Sequence, residues 1–162
     1  MSTVRTNLLA EEIARAAHEG QKRWSGQPYI THPEAMVKAL KEKYEFHSDV
    51  HDIMAIAWLH DVLEDTDVTA QDLLDKGIHK DVVFSVIALT KKPNEEYLYY
   101  LDRIINDIYA PTVKMADLEH NLSDLKKGTR RDKYMLAHYI IKGYMSSFLA
   151  SSAPVTNKDF TE

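Results

Sequence analysis

The sequence contains no cysteine. Disulfides, thiolate metal ligands and cysteine nucleophiles are therefore excluded, and the chain suits a reducing compartment. It also lacks any apolar run approaching the ~18 residues that mark a membrane-spanning helix. Its opening, MSTVRTNLLAEEIARAAHEG, has no unbroken apolar stretch of the kind a secretory signal carries. A cytoplasmic protein with no membrane partner is expected. There is no basic excess either: the net charge is -5, which argues against a general nucleic-acid binder. Basic pairs do occur, at Lys22-Arg23, Lys91-Lys92, Lys126-Lys127 and Arg130-Arg131. They read first as solvated helix ends, with scope for one or two to meet a small anionic ligand.

Glycine and proline are scarce, five of each in 162 residues, and no segment alternates apolar and polar residues for the length of a convincing strand. What is present is helical periodicity. Residues 6–20 repeat apolar positions at Leu9, Ile13, Ala16 and Ala17. GQPYITHP, residues 26–33, is a loop, and Pro33 suits the first turn of a helix over 33–44. A helix follows over 50–64. Thr69, with Asp72 three positions on, is an N-cap signal, and Gly77 is a stop. Further helices are predicted near 79–90, 95–107, 111–125 and 130–150. The length suits one domain with a core large enough to hold a buried site. The predicted class is all-α, a single-domain bundle of about seven helices over residues 1–150. The polar end, 151–162, is expected to be a disordered tail.

Ionisable groups interrupt this apolar pattern at three places. In AWLHDVLEDTD, residues 57–67, His60 and Asp61 sit within a core-going helix, and Glu64 and Asp65 follow each of them by four positions. On a continuous helix, neighbours point about 100° apart, and i,i+4 pairs lie roughly 5–6 Å apart between Cβ atoms. Burying an unpaired Asp costs several kcal/mol. A divalent metal, a salt bridge or a surface position each resolves that cost, and the doublet alone leaves all three open. Glu64 and Asp65 lie where a pair of carboxylates orients water or moves a proton, or where a solvated helix end carries acid. In APTVKMADLEHNL, residues 110–122, Asp117 has apolar neighbours, with His120 three positions on and Asn121 four. His32 stands in PYITHPEAM, where a loop enters a helix.

The order H…HD…D is the pattern of the HD-domain metal phosphohydrolases. More specifically, AHEGQKRWSGQPYITHP (17–33), AWLHDVLEDT (57–66), ALTKK (88–92) and VKMADLEHNLSDL (113–125) resemble the hydrolase domain of RelA/SpoT-type alarmone enzymes in motif order and spacing. The likeness spans about residues 8–125, and the length leads us to expect a small alarmone hydrolase without a synthetase domain. The resemblance implies an HD-type helical bundle. It makes His32, His60, Asp61 and Asp117 the ligands of one divalent ion, usually Mn2+, with Zn2+, Fe2+ or Mg2+ compatible with the ligand types. It makes Glu64 and Asp65 the carboxylates that handle the attacking water. It assigns Arg23 to the guanine base and Asn121 to substrate contact. The implied reaction is hydrolysis of the 3′-pyrophosphate of ppGpp to GDP and pyrophosphate.

Two positions depart from the family. Trp24 replaces a frequent basic residue and either stacks on a base or covers an edge of the core. Asp124 stands where many long enzymes have threonine, and a carboxylate there disfavours an extra phosphate. Both are candidate substrate contacts. They keep open an HD phosphohydrolase acting on another nucleotide or phosphorylated cofactor. A non-catalytic alarmone-binding module is the other alternative. His18 also matches a family histidine and reads as structural or supporting. His47, His51, His79, His120 and His138 receive no functional role, and Arg103 and Lys114 read as packing and surface charge before phosphate contacts.

Overall fold

The computed structural model describes residues 3–151, and among them it contains nine helices and a single isolated β-bridge, Lys22 to Pro28. They are α1 (Thr3–Ala17), α2 (Thr31–Lys43), α3 (Val50–Leu59), α4 (Val62–Asp65), α5 (Ala70–Asp75), α6 (Lys80–Leu89), α7 (Tyr97–Ile105), α8 (Ala110–Asp124) and α9 (Thr129–Ser151). The all-α class read from the sequence is borne out. Of the tail expected over 151–162, residues 152–162 lie outside the described residues. No helix among the described residues is long and apolar enough to cross a membrane.

The centre of the bundle is α3. Its sequence, VHDIMAIAWL, is apolar around almost its whole circumference, the signature of a helix surrounded by others. It packs against α1, α2, α6 and α8. Ala55, Ile56, Ala57 and Leu59 are fully buried, and Met36, Val62, Val82, Val86, Leu101, Ile104 and Leu118 complete the core. The small residues Ala55 and Ala57 allow close approach of the neighbouring helices. Each large aliphatic side chain so buried contributes about 1.5–3 kcal/mol.

The predicted helix over 50–64 is in fact two. The α-helical run ends at Leu59, His60 and Asp61 form a turn, and a four-residue helix follows. Asp61 lies at φ -108°, ψ -1°, the sparsely populated bridge region. His60 donates from Nδ1 to the carbonyl oxygen of Ala57, at 2.9 Å, and so takes up an acceptor near the helix end. The Asp61 carbonyl then accepts from the N–H groups of Glu64 and Asp65, starting α4 afresh. Periodicity did not reveal this break because the apolar residues on either side stay in register with a straight helix.

The remaining punctuation follows local chemistry. Thr69 and Asp72 form a reciprocal capping box, with the Thr69 N–H donating to Asp72 Oδ2 at 2.8 Å and the Asp72 N–H to Thr69 Oγ1 at 3.2 Å. Gly77, at φ 93°, supplies the left-handed turn that ends this segment.

Ile56→Ala is expected to lower stability by about 3 kcal/mol, because the site lies inside packed helices that cannot collapse around the cavity. Urea unfolding checks this, and a loss under about 1 kcal/mol would contradict the central position of α3. A second expectation concerns pH. Side-chain and then backbone hydrogen bonds from Thr69 depress the Asp72 pKa. A depressed carboxylate stabilises the fold above its unfolded pKa, about 3.9, and that contribution is lost as pH falls through its folded value. The stability gap between the parent and Asp72→Ala is therefore expected to narrow steadily below about pH 4, measured by thermal unfolding across pH.

Candidate active site

Four elements meet at the break after α3. The Tyr29–His32 turn enters α2, His60 and Asp61 form the turn itself, α4 carries Glu64 and Asp65, and α8 presents Asp117 and Asn121. His32, His60 and Asp117 are all buried, and one donor atom from each lies within 4.8 Å of the others. His32 Nε2 is 3.1 Å from Asp117 Oδ1, and His60 Nε2 is 3.1 Å from Asp61 Oδ2 and 3.9 Å from Asp117 Oδ1. Asp61 borders this trio, and its second partner is the Tyr29 hydroxyl, which donates to Oδ2. Of the four residues that the resemblance made metal ligands, three form the tight cluster and the fourth adjoins it through His60.

The donor set fits a divalent metal ion. The Nδ1 proton of His60 is committed to Ala57, so Nε2 is the nitrogen turned toward the carboxylates. That atom is buried, and no hydrogen-bond partner meets it in proper geometry despite the nearby oxygens. Two imidazole nitrogens and two carboxylates converging on one place repel one another unless a cation lies among them. The protonation energetics agree. Burial opposes charge on His60, but Asp61 and Asp117 outweigh it and push its pKa up to about 9. At His32 burial prevails and lowers the pKa, which keeps the ring neutral and suited to ligation. At Asp117, burial would raise the pKa, but the Lys114 ammonium, followed by His32 and His60, holds it well below the usual carboxylate range. Asp61 is likewise held low, its desolvation overcome by His60.

A cavity of about 240 Å³ opens above these groups, lined in part by Asp61, Glu64, Asp65, Asp117 and Asn121. Glu64 Oε2 accepts from the backbone N–H of Lys91 at 2.9 Å. Asp65 is held through its backbone, whose carbonyl accepts from Gln21 Nε2 at 3.0 Å. Burial, then Asp61 and Glu64, raises the Asp65 pKa. The same lining carries Lys91, Lys114 and Lys133 with Tyr97, Tyr100 and Tyr134. Anionic and cationic groups thus intermingle in one cleft, Lys114 pairing with Asp117 at 2.7 Å and the Lys91 N–H meeting Glu64.

Arg23 is buried and donates to Asn121 Oδ1 at 3.4 Å, Asp124 Oδ2 at 3.3 Å and His120 Nδ1 at 3.3 Å. Three of the expected substrate-contacting residues are therefore one cluster. Trp24 is 56% exposed on the adjoining loop and is not among the residues lining the cavity.

Several contributors had no assigned role in the sequence. His120 stands 2.8 Å from His32 across their Nδ1 atoms. Its signal was its position three residues after Asp117, one helical turn on. Tyr29 was unmarked except as a neighbour of His32 in the 26–33 loop, and its loop position gave no hint of Asp61. Lys114, read as surface charge, is paired with Asp117 Oδ2 at 2.7 Å. The reading of His18 as supporting holds geometrically: it bonds Gln21 Oε1 through Nδ1 at 2.8 Å and packs against the Tyr29 ring at 4.5 Å. Arg103 serves the fold, donating to the carbonyls of Ile87, Ala88 and Thr90 and pairing with Glu95.

Comparison with known proteins adds to this geometry. No family model matches the chain. It is 37% identical over 123 residues to the bifunctional (p)ppGpp synthase/hydrolase SpoT of Escherichia coli strain K12, a stretch covering 70% of this chain and 17% of that protein. It is 36% identical over 123 residues to the guanosine-3′,5′-bis(diphosphate) 3′-pyrophosphohydrolase of Haemophilus influenzae, covering 70% of this chain and 18% of the relative. The chain is similar to one part of these SpoT-type alarmone enzymes, and it spans about a sixth of their length. Among solved structures, a metazoan orthologue of SpoT described as hydrolysing ppGpp superposes with a TM-score of 0.71 at 23% identity, covering 86% of this chain and 85% of that one. The two share the helical fold.

Lys114→Met is expected to destabilise the metal-free protein by about 3 kcal/mol, because the buried Asp117 carboxylate loses its nearest cation. Urea unfolding in the presence of a chelator measures it. A change within about 0.5 kcal/mol would mean that the pair contributes nothing net.

Proposed function

We propose that this chain removes the 3′-pyrophosphate of ppGpp, giving GDP and pyrophosphate, with residues 1–150 as the catalytic domain. One observation carries the reading: a buried His32, His60 and Asp117 cluster reaches, through Asp117, a cleft lined by Asp61, Glu64 and Asp65 together with three lysines. The kinship with 3′-pyrophosphohydrolases supports it. The substrate is a small nucleotide, in keeping with the net charge of -5, which opposes nucleic-acid binding. We assign the activity to the cytoplasm, where such nucleotides are found.

His32, His60, Asp61 and Asp117 would hold one divalent ion, and Mn2+ suits their mixture of imidazole and carboxylate. Bound there, such an ion neutralises phosphate oxygens and lowers the pKa of a coordinated water towards ~7. The chain's own residues do the rest. Lys91 N–H fixes one oxygen of Glu64, which orients the attacking water. Asp65, its pKa raised by burial and by its acidic neighbours, takes the proton of that water and passes it to the leaving 3′-oxygen. The water oxygen bonds to the phosphorus carried on the 3′-oxygen. That P–O bond breaks, and the ribose 3′-oxygen leaves as a hydroxyl after taking up a proton. Lys91, Lys114 and Lys133 line the wall that meets the phosphate charge. Arg23, which the resemblance assigns to the base, is buried and bonded to Asn121 and Asp124, and Asn121 is the member of this cluster that lines the cleft.

The Arg23–Asp124 contact favours a second reading, in which another phosphorylated nucleotide is the substrate, since that carboxylate sits at the base-binding end. An alarmone-binding module without turnover is the non-catalytic alternative.

Purified protein with Mn2+ is expected to release pyrophosphate from ppGpp, with Asp61→Ala reducing the rate at least ~100-fold through loss of a ligand. Product identification across a panel of 2′-, 3′- and 5′-phosphorylated nucleotides separates the readings. Faster turnover of another nucleotide would replace ppGpp, tight ppGpp binding without turnover would support the module, and no pyrophosphate with any of several metals would sink the proposal.

A further inference from the structure

His120 lies outside the ligand set, yet two nitrogens come within hydrogen-bond reach of its Nδ1. Arg23 Nη1 approaches to 3.3 Å and His32 Nδ1 to 2.8 Å. A guanidinium has five N–H donors and no acceptor, so Arg23 requires a lone pair on His120 Nδ1. With that lone pair presented, the proton shared between the two imidazoles belongs to His32 Nδ1. A neutral His32 protonated at Nδ1 exposes its lone pair at Nε2, the atom 3.1 Å from Asp117 and within the buried cluster. The alternative tautomer of His32 would put its proton into the cluster and leave two lone pairs facing each other at 2.8 Å. Arg23 is itself fixed by Asn121 and Asp124, so the direction of the whole chain of contacts is set by a group that can only donate.

We propose that His120 is a positioning residue for the metal site. Its Nδ1 is the common acceptor of Arg23 and His32, and it holds His32 in the tautomer that ligates through Nε2. This rests on the reading of His32 as a metal ligand. It also joins the Arg23–Asn121–Asp124 cluster to the metal site through a single nitrogen, because Arg23 and His32 use the same lone pair. Backbone and carboxylate partners normally hold a ligating histidine in this way, and losing them costs roughly 10–100-fold in metal affinity. Here a second histidine, kept neutral-side-in by an arginine, takes that place.

Two measurements test it. Calorimetric titration of Mn2+ into parent, His120→Leu and His120→Gln protein reads metal affinity directly, with metal-free thermal unfolding as the control for folding. His120→Leu is expected to lose about 10–100-fold in affinity. His120→Gln, whose amide oxygen can accept from His32, should recover most of it. A His120→Leu affinity within twofold of the parent overturns the proposal while leaving the metal site intact. A parent that binds no divalent ion removes the metal site and this inference together. Should His120→Leu fail to fold, long-range 1H–15N spectra of the Zn2+-loaded parent decide the matter. The expected pattern is His32 protonated at Nδ1 and His120 at Nε2, and the reverse assignment overturns the proposal.

Discussion

The carboxylate of Asp117 sits in the floor of a helical bundle with 5% of its residue surface exposed. An ionised carboxylate so placed costs several kcal/mol unless positive charge and hydrogen-bond donors surround it. Much of the local architecture answers that cost. Lys114, one turn earlier on α8, brings its ammonium to Oδ2, and Asn121, one turn later, donates to Oδ1 at 2.5 Å. His32 and His60 arrive from α2 and the end of α3. Lys114 in turn is shielded by Tyr100, whose ring lies 5.5 Å from its Nζ. None of these groups is stable in the interior alone, and each is tolerable because the others are present. Removing the functional requirement would leave an apolar plug as the cheaper solution, so the persistence of the charged set is itself an argument for a ligand-binding floor.

That floor depends on the interruption after Leu59. A straight helix through residues 50–64 would project His60 and Asp61 about 100° apart, with Glu64 and Asp65 above them along one flank. The turn instead lets His60 bind back to Ala57 while Asp61 reaches toward Tyr29, and it sets Glu64 and Asp65 on a separate short helix that lines the cleft. The apolar residues Trp58, Leu59 and Val62 bridge the break and anchor both halves in the core. Rigidity comes from packing and chemistry from the broken ladder, and they occupy alternate positions in the same ten residues.

How much of this could be read from the sequence depends on the range of the interaction involved. Helix existence was legible wherever apolar spacing was strict, as in α2, α6 and α8, and the Thr69 cap and Gly77 stop were legible because their chemistry is local. The four ligand candidates were visible through motif order. The break at His60-Asp61 was not, since it is decided by a side chain competing for a backbone acceptor inside an otherwise regular apolar pattern. Nor were the partners of His32 and Asp61. His120 is 88 positions from His32, and Tyr29 is 32 from Asp61. Contacts of that separation leave no periodic trace, and a histidine or tyrosine carries no composition signal of its own. Lys114 was misread for the opposite reason: its long side chain is an ordinary surface feature in most helices, and only the neighbouring buried acid makes it an interior one.

Asp124 shows how such pairing changes a charge argument. As an isolated carboxylate near the substrate it would repel phosphate. In the structure it contacts Arg23, whose guanidinium also reaches Asn121 and His120. The pair is close to neutral, as is Lys114 with Asp117, so its field on a distant phosphate is small compared with that of Lys91 and Lys133 in the cleft lining. Asp124 nevertheless remains half-exposed, at 48% of its side chain, while Arg23 is buried. Its effect is therefore directional. It orders the arginine and, through it, Asn121, while part of the carboxylate stays open to solvent. The departure from the family pattern thus acts on the arginine cluster, and it leaves Lys114, His32 and His60 to neutralise Asp117.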